Sequence, residues 1–464
     1  MIPMTGREIA QVLGGQVGAG AAAAVVAAPV VVDSRLASAG SMFAAVVGEH
    51  ADGHEFAPDA ASRGATLALV ARPVPTPHVV VPDVVAALAA LATHTLTELR
   101  RAGDIRVVGI TGSSGKTSTK DLVAQVLART GDTVAPEGSF NNEIGLPLTV
   151  LRADRATRHL VLEMSARGVG HIAALCAIAP VDVGVVLNVG SAHVGEFGSR
   201  EAIATAKAEL VAGVVAGGAV VLNADDPLVA AMRAPKGRRV VMVGLSTAAD
   251  VRADDVSVAD DGCASFTLTS AAGASPVSLR LVGAHHVGNA LAAAAVAMEA
   301  GLALADVAEA LSEAVAVSRW RMEMRQTADG VTVINDAYNA NPESMRAALT
   351  ALTRVGRGRR TWAVLGPMAE LGDSTDPEHR AVGRLCADLG VSHVVTVGSA
   401  ATAIAEAALA AGVETTECAD VAAAVALLRS GTADGDVVLV KASRSAGLER
   451  VAGAIAPRKP GGAA

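Results

Sequence analysis

A chain of 464 residues exceeds what one hydrophobic core supports, so two or three domains are expected. A formal charge of -8 and a pI near 5.8 argue against a nucleic-acid partner, which would leave a basic stripe. The 51% apolar content and mean hydropathy of +0.43 come mostly from Ala, Val and Gly in short runs. The longest of these, residues 18–32, contains Pro29 and is too short to span a bilayer, so no membrane span is expected.

The opening block, residues 1–103, begins with a short amphipathic helix from Arg7 to Leu13. It then alternates Val/Ala-rich strands with turns, as at VVVDSR and TLALVARPV, and closes with a helix from Val84 to Arg101. No basic segment followed by an apolar run opens it, as a secretory leader would. The second block, 104–317, carries HLVLEMS, VDVGVVLNVG, AVVLNADD and RVVMVG, each readable as a buried strand followed by a helix. That alternation predicts a mostly parallel sheet covered on both faces. Residues 250–282 switch to polar/apolar alternation, an antiparallel add-on, before the helix in HHVGNALAAAAVAMEAG. The third block, 318–464, repeats the α/β pattern with strands at VTVINDAY, RTWAVLGPM, SHVVTVG and DVVLVKAS. Only 2% of residues are aromatic, so cores must be built of small aliphatics. Cys176, Cys263, Cys386 and Cys418 have no metal or redox spacing and read as buried hydrophobes in a reducing cytosol, giving a cytoplasmic expectation.

The most informative segment is VVGITGSSGKTSTK, residues 107–120. A β-branched run ends in Thr111, Gly112, Ser113, Ser114, Gly115, Lys116, Thr117 and Ser118, then continues at helical spacing. Strand, glycine loop and Lys-Thr at a helix start is a phosphate cradle. Backbone N–H groups and the helix dipole face the anion, Lys116 neutralises the outer phosphates of a nucleoside triphosphate, and Thr117 can ligate Mg²⁺. Position 110, where the usual motif has its first glycine, is Ile.

Open parallel sheets hold ligands beyond the carboxyl ends of their strands. Glu163 ends one strand, His193 lies just past VVLNVG, and Lys207 sits on the next helix. Glu163 and Thr117 could share a Mg²⁺ between phosphates, whereas imidazole is a poor ligand for that ion. Alone, each reads as a solvated strand end, a loop histidine or a surface lysine. Their coincidence with a phosphate loop is what marks them.

Further motifs extend the pattern in order: DSRLASAGSMFAAVVGEHADGHEF, SFNNEIGLPLT, LEMSARGVGHI, NVGSAHVGEFGS, AKAEL, GAHHVGNALAA, SRWRMEM, NDAYNANPESM, VLGPMAELG and VLVKASRSAGLE. With TGSSGKTST, this set resembles the Mur ligases, ATP-dependent amide-forming enzymes of peptidoglycan precursor synthesis. The shortened loop of that family accounts for Ile110, while Ser165 and Ala442 stand where its pattern has glycine. The resemblance implies three α/β domains. These are a small UDP-substrate domain (1–103), a central P-loop ATP-binding domain with a mostly parallel sheet (104–317) and a Rossmann-like domain (318–464).

The resemblance also implies roles. Lys116 contacts the β- and γ-phosphates, and Thr117 and Glu163 a first Mg²⁺. Glu163, His193 and Lys207 surround a second, with Lys207 carbamylated, because an ammonium cannot sit beside Mg²⁺ and an anionic carbamate can. Asn289 contacts adenine, Asp336 the ribose and Arg321 the γ-phosphate. Ser34, Arg35, Gly53, His54, Asn141, Asn142, Asn339, Asn341, Lys441 and Arg444 fall to the substrates. Those implied are UDP-N-acetylmuramoyl-tripeptide and D-alanyl-D-alanine, joined through an acyl phosphate by a monomer. Two rival readings are a relative that adds a single amino acid to the muramoyl peptide or glutamate to folate, and a P-loop nucleotide switch without ligase activity. NDAYNANPESM, in place of the DYAH-type segment of such relatives, argues against the first.

Overall fold

The first helix, Gly6–Leu13, starts where Thr5 and Glu8 cap each other reciprocally, and ends at Gly14 in the left-handed conformation (φ 62°). The computed structural model describes residues 1–190 and 194–457. In the first block a five-stranded sheet runs Gln16–Val17, His78–Val80, Leu67–Val70, Met42–Ala44, Val30–Val31. The expected strand at VVVDSR is cut to Val30–Val31. Asp33 accepts the Arg35 N–H (3.0 Å) and caps a short 3₁₀ helix, Ser34–Leu36. Helix Val84–Ala102, capped by Asp83, buries Leu88, Leu91, Leu96 and Leu99 in one core that spans this block and a face of the central sheet. Each buried leucine contributes about 2 kcal/mol. The first block is therefore packed onto the second, not merely tethered to it.

The central sheet has nine strands, ordered Gly273–Val282, Cys263–Ser270, Val251–Val258, Arg239–Gly244, Val214–Asn223, Val181–Val186, Arg106–Thr111, Thr157–Glu163, Asp132–Val134. Pairing is parallel up to Val251–Val258 and antiparallel beyond it, so the expected add-on continues the same sheet. The phosphate-loop helix, Lys116–Leu127, and helix His286–Glu299 cover one face. Ala290 through Ala297 are all nearly inaccessible; small side chains let this helix sit close to the sheet, as an aromatic-poor composition requires.

The C-terminal sheet has six strands, ordered Glu323–Gln326, Thr332–Asn335, Val437–Lys441, Thr361–Leu365, His393–Val397, Glu414–Cys418, parallel except at the first pair. Among the described residues of the second and third blocks, three strands were not expected: Asp132–Val134, Glu323–Gln326 and Glu414–Cys418. All are sheet-edge strands with polar residues, so they lack the apolar run that marks a central strand. Of the cysteines, all free, Cys263 is half-exposed rather than buried.

Candidate functional site

The carboxyl ends of the central and C-terminal sheets border one cleft of about 630 Å³. On the central side the phosphate loop leaves strand Arg106–Thr111 and enters its helix at Gly115, whose φ of 80° suits glycine. A Cβ there would lie 2.7 Å from Asn289 Oδ1, and one at Gly112 would lie 2.9 Å from Leu187 Cβ. Asn188 braces the loop: its Oδ1 accepts the Ser114 N–H (2.9 Å), its carbonyl accepts the Ser113 N–H (3.1 Å), and its amide donates to Ser114 O (3.2 Å). Ser113 Oγ accepts the Gly190 N–H (2.9 Å), and Lys116 Nζ donates to Gly112 O (2.7 Å). The loop is thus held in shape by the strand end beside it.

Below the loop, Thr117 Oγ1 donates to Glu163 Oε2 (3.0 Å), and Asn141 donates to Glu163 Oε1 (2.8 Å). From the C-terminal side, Arg321 Nη2 donates to the same Thr117 hydroxyl at 3.0 Å. This contact carries the third block into the phosphate site. The Arg321 Nε is buried with no protein partner, a donor left for a ligand. Its guanidinium lies 4.2 Å from the centre of the Tyr338 ring.

Cations dominate the electrostatics. Burial pushes the Lys116 ammonium below the usual lysine range; Glu163 pulls it back and Arg321 adds to the fall. Burial, with Lys116 nearby, brings Lys207 down to about 7. His285 and His286 are held below their ordinary values by burial. Clustered, partly desolvated positive charge is what an incoming polyanion offsets.

The structure brings Ser113, Ser114, Gly115, Lys116, Thr117, Ser118, Asn141, Glu163, Asn289, Arg321, Asp336, Asn339, Asn341, Lys441 and Arg444 to the wall of one cleft. Several expected roles need correction. Thr111 is fully buried in its strand and does not line the cleft; its carbonyl accepts the Leu187 N–H. Gly112 contributes only its carbonyl, to Lys116. Asn142 is also outside the lining: its side-chain oxygen caps helix Gly145–Val150 through the Gly145 N–H (2.9 Å). Asn341 lines the cleft, but its Oδ1 caps helix Pro342–Val355 through the Ser344 N–H (2.8 Å). Lys441 is not a free cation, since it is 2% exposed and ion-paired with Asp336 Oδ2 at 2.5 Å.

In the first block, Ser34, Arg35, Gly53 and His54 are away from this cleft. Ser34 is buried, and Arg35 is exposed and paired with Asp33. His54 is buried, with Nδ1 against Asp52 and Nε2 accepting the Ala71 N–H (2.8 Å), so its ring serves the fold. Gly53 is a close approach: a Cβ would lie 2.6 Å from Val46 O. Lys207 is buried on helix Arg200–Gly213, near Lys116 but not on the cleft lining. His193 lies outside the described residues.

Sequence reasoning missed Asn188, Trp320 and Tyr338. Asn188 could have been found by the strand-end rule, because it follows VVL directly. The two aromatics stand in a chain with few others.

The residues fit a nucleoside triphosphate and a hard cation. The loop offers a cradle with no room for Cβ atoms, Arg321 an unmet donor, and Thr117 and Glu163 oxygen ligands 3.0 Å apart. Among the described residues no group of three or more His, Cys, Asp or Glu forms a protein-only metal cage.

Three family models match the chain. They are the Mur ligase family catalytic domain at residues 28–107, the Mur ligase middle domain at 110–297, and the Mur ligase glutamate ligase domain at 320–444. The chain is 49% identical to the UDP-N-acetylmuramoyl-tripeptide–D-alanyl-D-alanine ligase of Mycobacterium tuberculosis, covering 98% of each, and 35% identical to that of Escherichia coli, covering 98% and 99%. Among solved structures, it is similar to MurF from Acinetobacter baumannii, at TM-score 0.84 and 31% identity over 98% of each chain. It is also similar to MurF from Thermotoga maritima in complex with ADP, at TM-score 0.77 and 30% identity over 92% and 96%.

Proposed function

The chain belongs to the Mur ligase family, and from that premise we propose how its cleft works. It is an ATP-dependent carbon–nitrogen ligase that joins D-alanyl-D-alanine to UDP-N-acetylmuramoyl-tripeptide in peptidoglycan synthesis. Residues 1–103 hold the UDP end of the substrate, 104–317 the ATP and 318–464 the acceptor side.

The reaction brings two anions together, the tripeptide carboxylate and the γ-phosphoryl group. Lys116 and Arg321 offset their repulsion, and the donor set of Thr117 and Glu163 would hold Mg²⁺, which would supply further charge when bound. Asn289 and Asp336 flank the nucleoside. The carboxylate oxygen attacks the γ-phosphorus and ADP leaves, and the free amine of D-alanyl-D-alanine then attacks the acyl carbon, gives up a proton and displaces phosphate. No side chain acts as a covalent nucleophile.

Lys207, as a carbamate, would help hold a second Mg²⁺ together with Glu163 and His193. A pKa of about 7 supplies the neutral amine that reacts with CO₂, and the product is an anion that a nearby cation stabilises. Asn141, Asn339 and Arg444 line the substrate path. A cytoplasmic setting, consistent with four free thiols, and action as a monomer complete the proposal.

The observation that carries this reading is the Arg321–Thr117 contact, which puts a cation from the third block on the phosphate loop of the second. The test is phosphate release measured with ATP and each substrate omitted in turn. Release that needs both the UDP-tripeptide and D-alanyl-D-alanine supports it. Slow hydrolysis indifferent to both would identify a nucleotide switch.

A further inference from the structure

Trp320 is one of two tryptophans and Tyr338 the single tyrosine of this aromatic-poor chain, and they meet beside the cleft. Their ring centres are 6.4 Å apart, and each ring carries a guanidinium. Arg321 lies 4.2 Å from the centre of the Tyr338 ring and Arg444 lies 4.4 Å from that of Trp320.

The backbone here is unusual. Trp320 (φ 59°) and Met322 (φ 51°), on either side of Arg321, are two of the four non-glycine residues with positive φ among those described. Bulky residues adopt this conformation only when surrounding contacts enforce it. Those contacts come from the end of strand Thr332–Asn335. The Trp320 carbonyl accepts the Tyr338 N–H (3.3 Å), and the Met322 N–H donates to Asp336 Oδ1 (3.1 Å). The turn sends Arg321 across to Thr117, while the Trp320 ring supports Arg444. Arg444 is tied on its other side to Glu449 Oε1 (2.7 Å), yet its side chain stays 51% exposed on the cleft wall.

We propose that Trp320 is a positioning residue that orients Arg444 to receive the free carboxylate of the incoming dipeptide. This rests on the ligase reading above. A carboxylate is gripped best by a guanidinium whose plane is fixed, because two parallel N–H bonds must form at once. A flat aromatic face fixes that plane; an aliphatic side chain packs the stem and leaves the fork free to rotate. The same residue therefore serves both halves of the reaction, by its backbone on the phosphate side and its ring on the acceptor side.

The test uses Trp320→Gly, Trp320→Asn and Trp320→Phe in the full chain. Gly and Asn tolerate the left-handed conformation, so they remove the ring and keep the turn. Both should raise KM for D-alanyl-D-alanine about tenfold and leave KM for ATP within about twofold, and Phe should recover most of the loss. The proposal is overturned if KM for the dipeptide is unchanged, if both KM values rise together, or if Phe is as impaired as Gly. It is also overturned if neither Gly nor Asn folds, since the residue then serves the turn alone. A wild-type enzyme whose phosphate release ignores D-alanyl-D-alanine would instead remove the ligase reading itself.

Discussion

Replacing Asp336 with Asn tests whether this residue serves the nucleotide alone or also neutralises the C-terminal sheet. Its Oδ2 lies 2.5 Å from Lys441 Nζ, with the two side chains only 11% and 2% exposed. Asn keeps the shape and an acceptor for the Met322 N–H, but leaves the lysine charge buried without its counter-ion. Removing one partner of such a pair destabilises by about 3 kcal/mol, the lower end of the range because Lys441 keeps its bond to Asn339 O. Burial already lowers the Lys441 pKa and Asp336 pulls it back, so the substitution lowers it further. Between that folded value and the unfolded value of about 10.4, the unfolded chain binds more protons, and stability rises with pH by up to about 1.4 kcal/mol per unit. The deficit of Asp336→Asn is thus largest while Lys441 is protonated in both proteins, and it shrinks as pH rises through the interval between the two folded values, both below the ordinary lysine range. Both tryptophans, Trp320 and Trp362, lie in the third block, so urea unfolding followed by tryptophan fluorescence reads this sheet. Lys441→Met in the same background should recover part of the loss. A deficit under about 1 kcal/mol at pH 7, or one that grows as pH rises, would refute the reasoning.

Lys116→Ala should fold, as judged by circular dichroism, and lose about a hundredfold or more in phosphate release, since a cation on the transferring group is gone; near wild-type turnover contradicts the assignment. Lys207→Ala should be nearly inactive and partly rescued by a short carboxylic acid. With ¹³C-labelled bicarbonate the wild-type protein should give a carbamate NMR signal that the variant lacks, and its absence at neutral pH with Mg²⁺ present sinks the idea. Because Lys207 titrates near 7 and only the neutral amine captures CO₂, that signal should weaken as pH falls below 7. Arg444→Ala should raise KM for D-alanyl-D-alanine with that for ATP little changed; a shift confined to ATP places Arg444 elsewhere.

What was legible in the sequence is local. Strand, glycine loop and helix follow one another at residues 106–127, so the phosphate site could be read directly, and the alternation of buried strands with helices gave the α/β class. What was illegible is of two kinds. Edge strands such as Glu414–Cys418 are polar along most of their length and carry no apolar run. Polar residues in family motifs can also be consumed by the fold. His54 uses both ring nitrogens and Asn142 caps a helix, while Lys441 finds its counter-ion 105 residues away. A motif marks the position of a residue, but only the three-dimensional neighbours decide whether its polar atoms remain for a ligand.

The same distinction explains why the site depends on how the blocks are joined. The segment between the central and C-terminal sheets runs along one face of the phosphate-loop helix. Asp121 Oδ2 accepts the Ser318 N–H (3.1 Å), Gln125 exchanges two bonds with the Val315 backbone (3.0 Å each), and Arg129 pairs with Glu313. Asp121 and Gln125 are four apart on the helix and share one face, and Arg129 follows just beyond its end. Immediately beyond Ser318 come the left-handed Trp320 and Met322, with Arg321 between them reaching back to Thr117. On the opposite rim the backbones of Gly195 and Gly372 touch closely; a Cβ on Gly195 would lie 2.7 Å from Gly372 N. The segment from Ser318 to Met322, whose backbone leaves its preferred regions at Trp320 and Met322, thus links the docked connection to the phosphate-side contact. The phosphate-side arginine and the platform of the acceptor-side arginine therefore sit on the same few residues that join the two sheets.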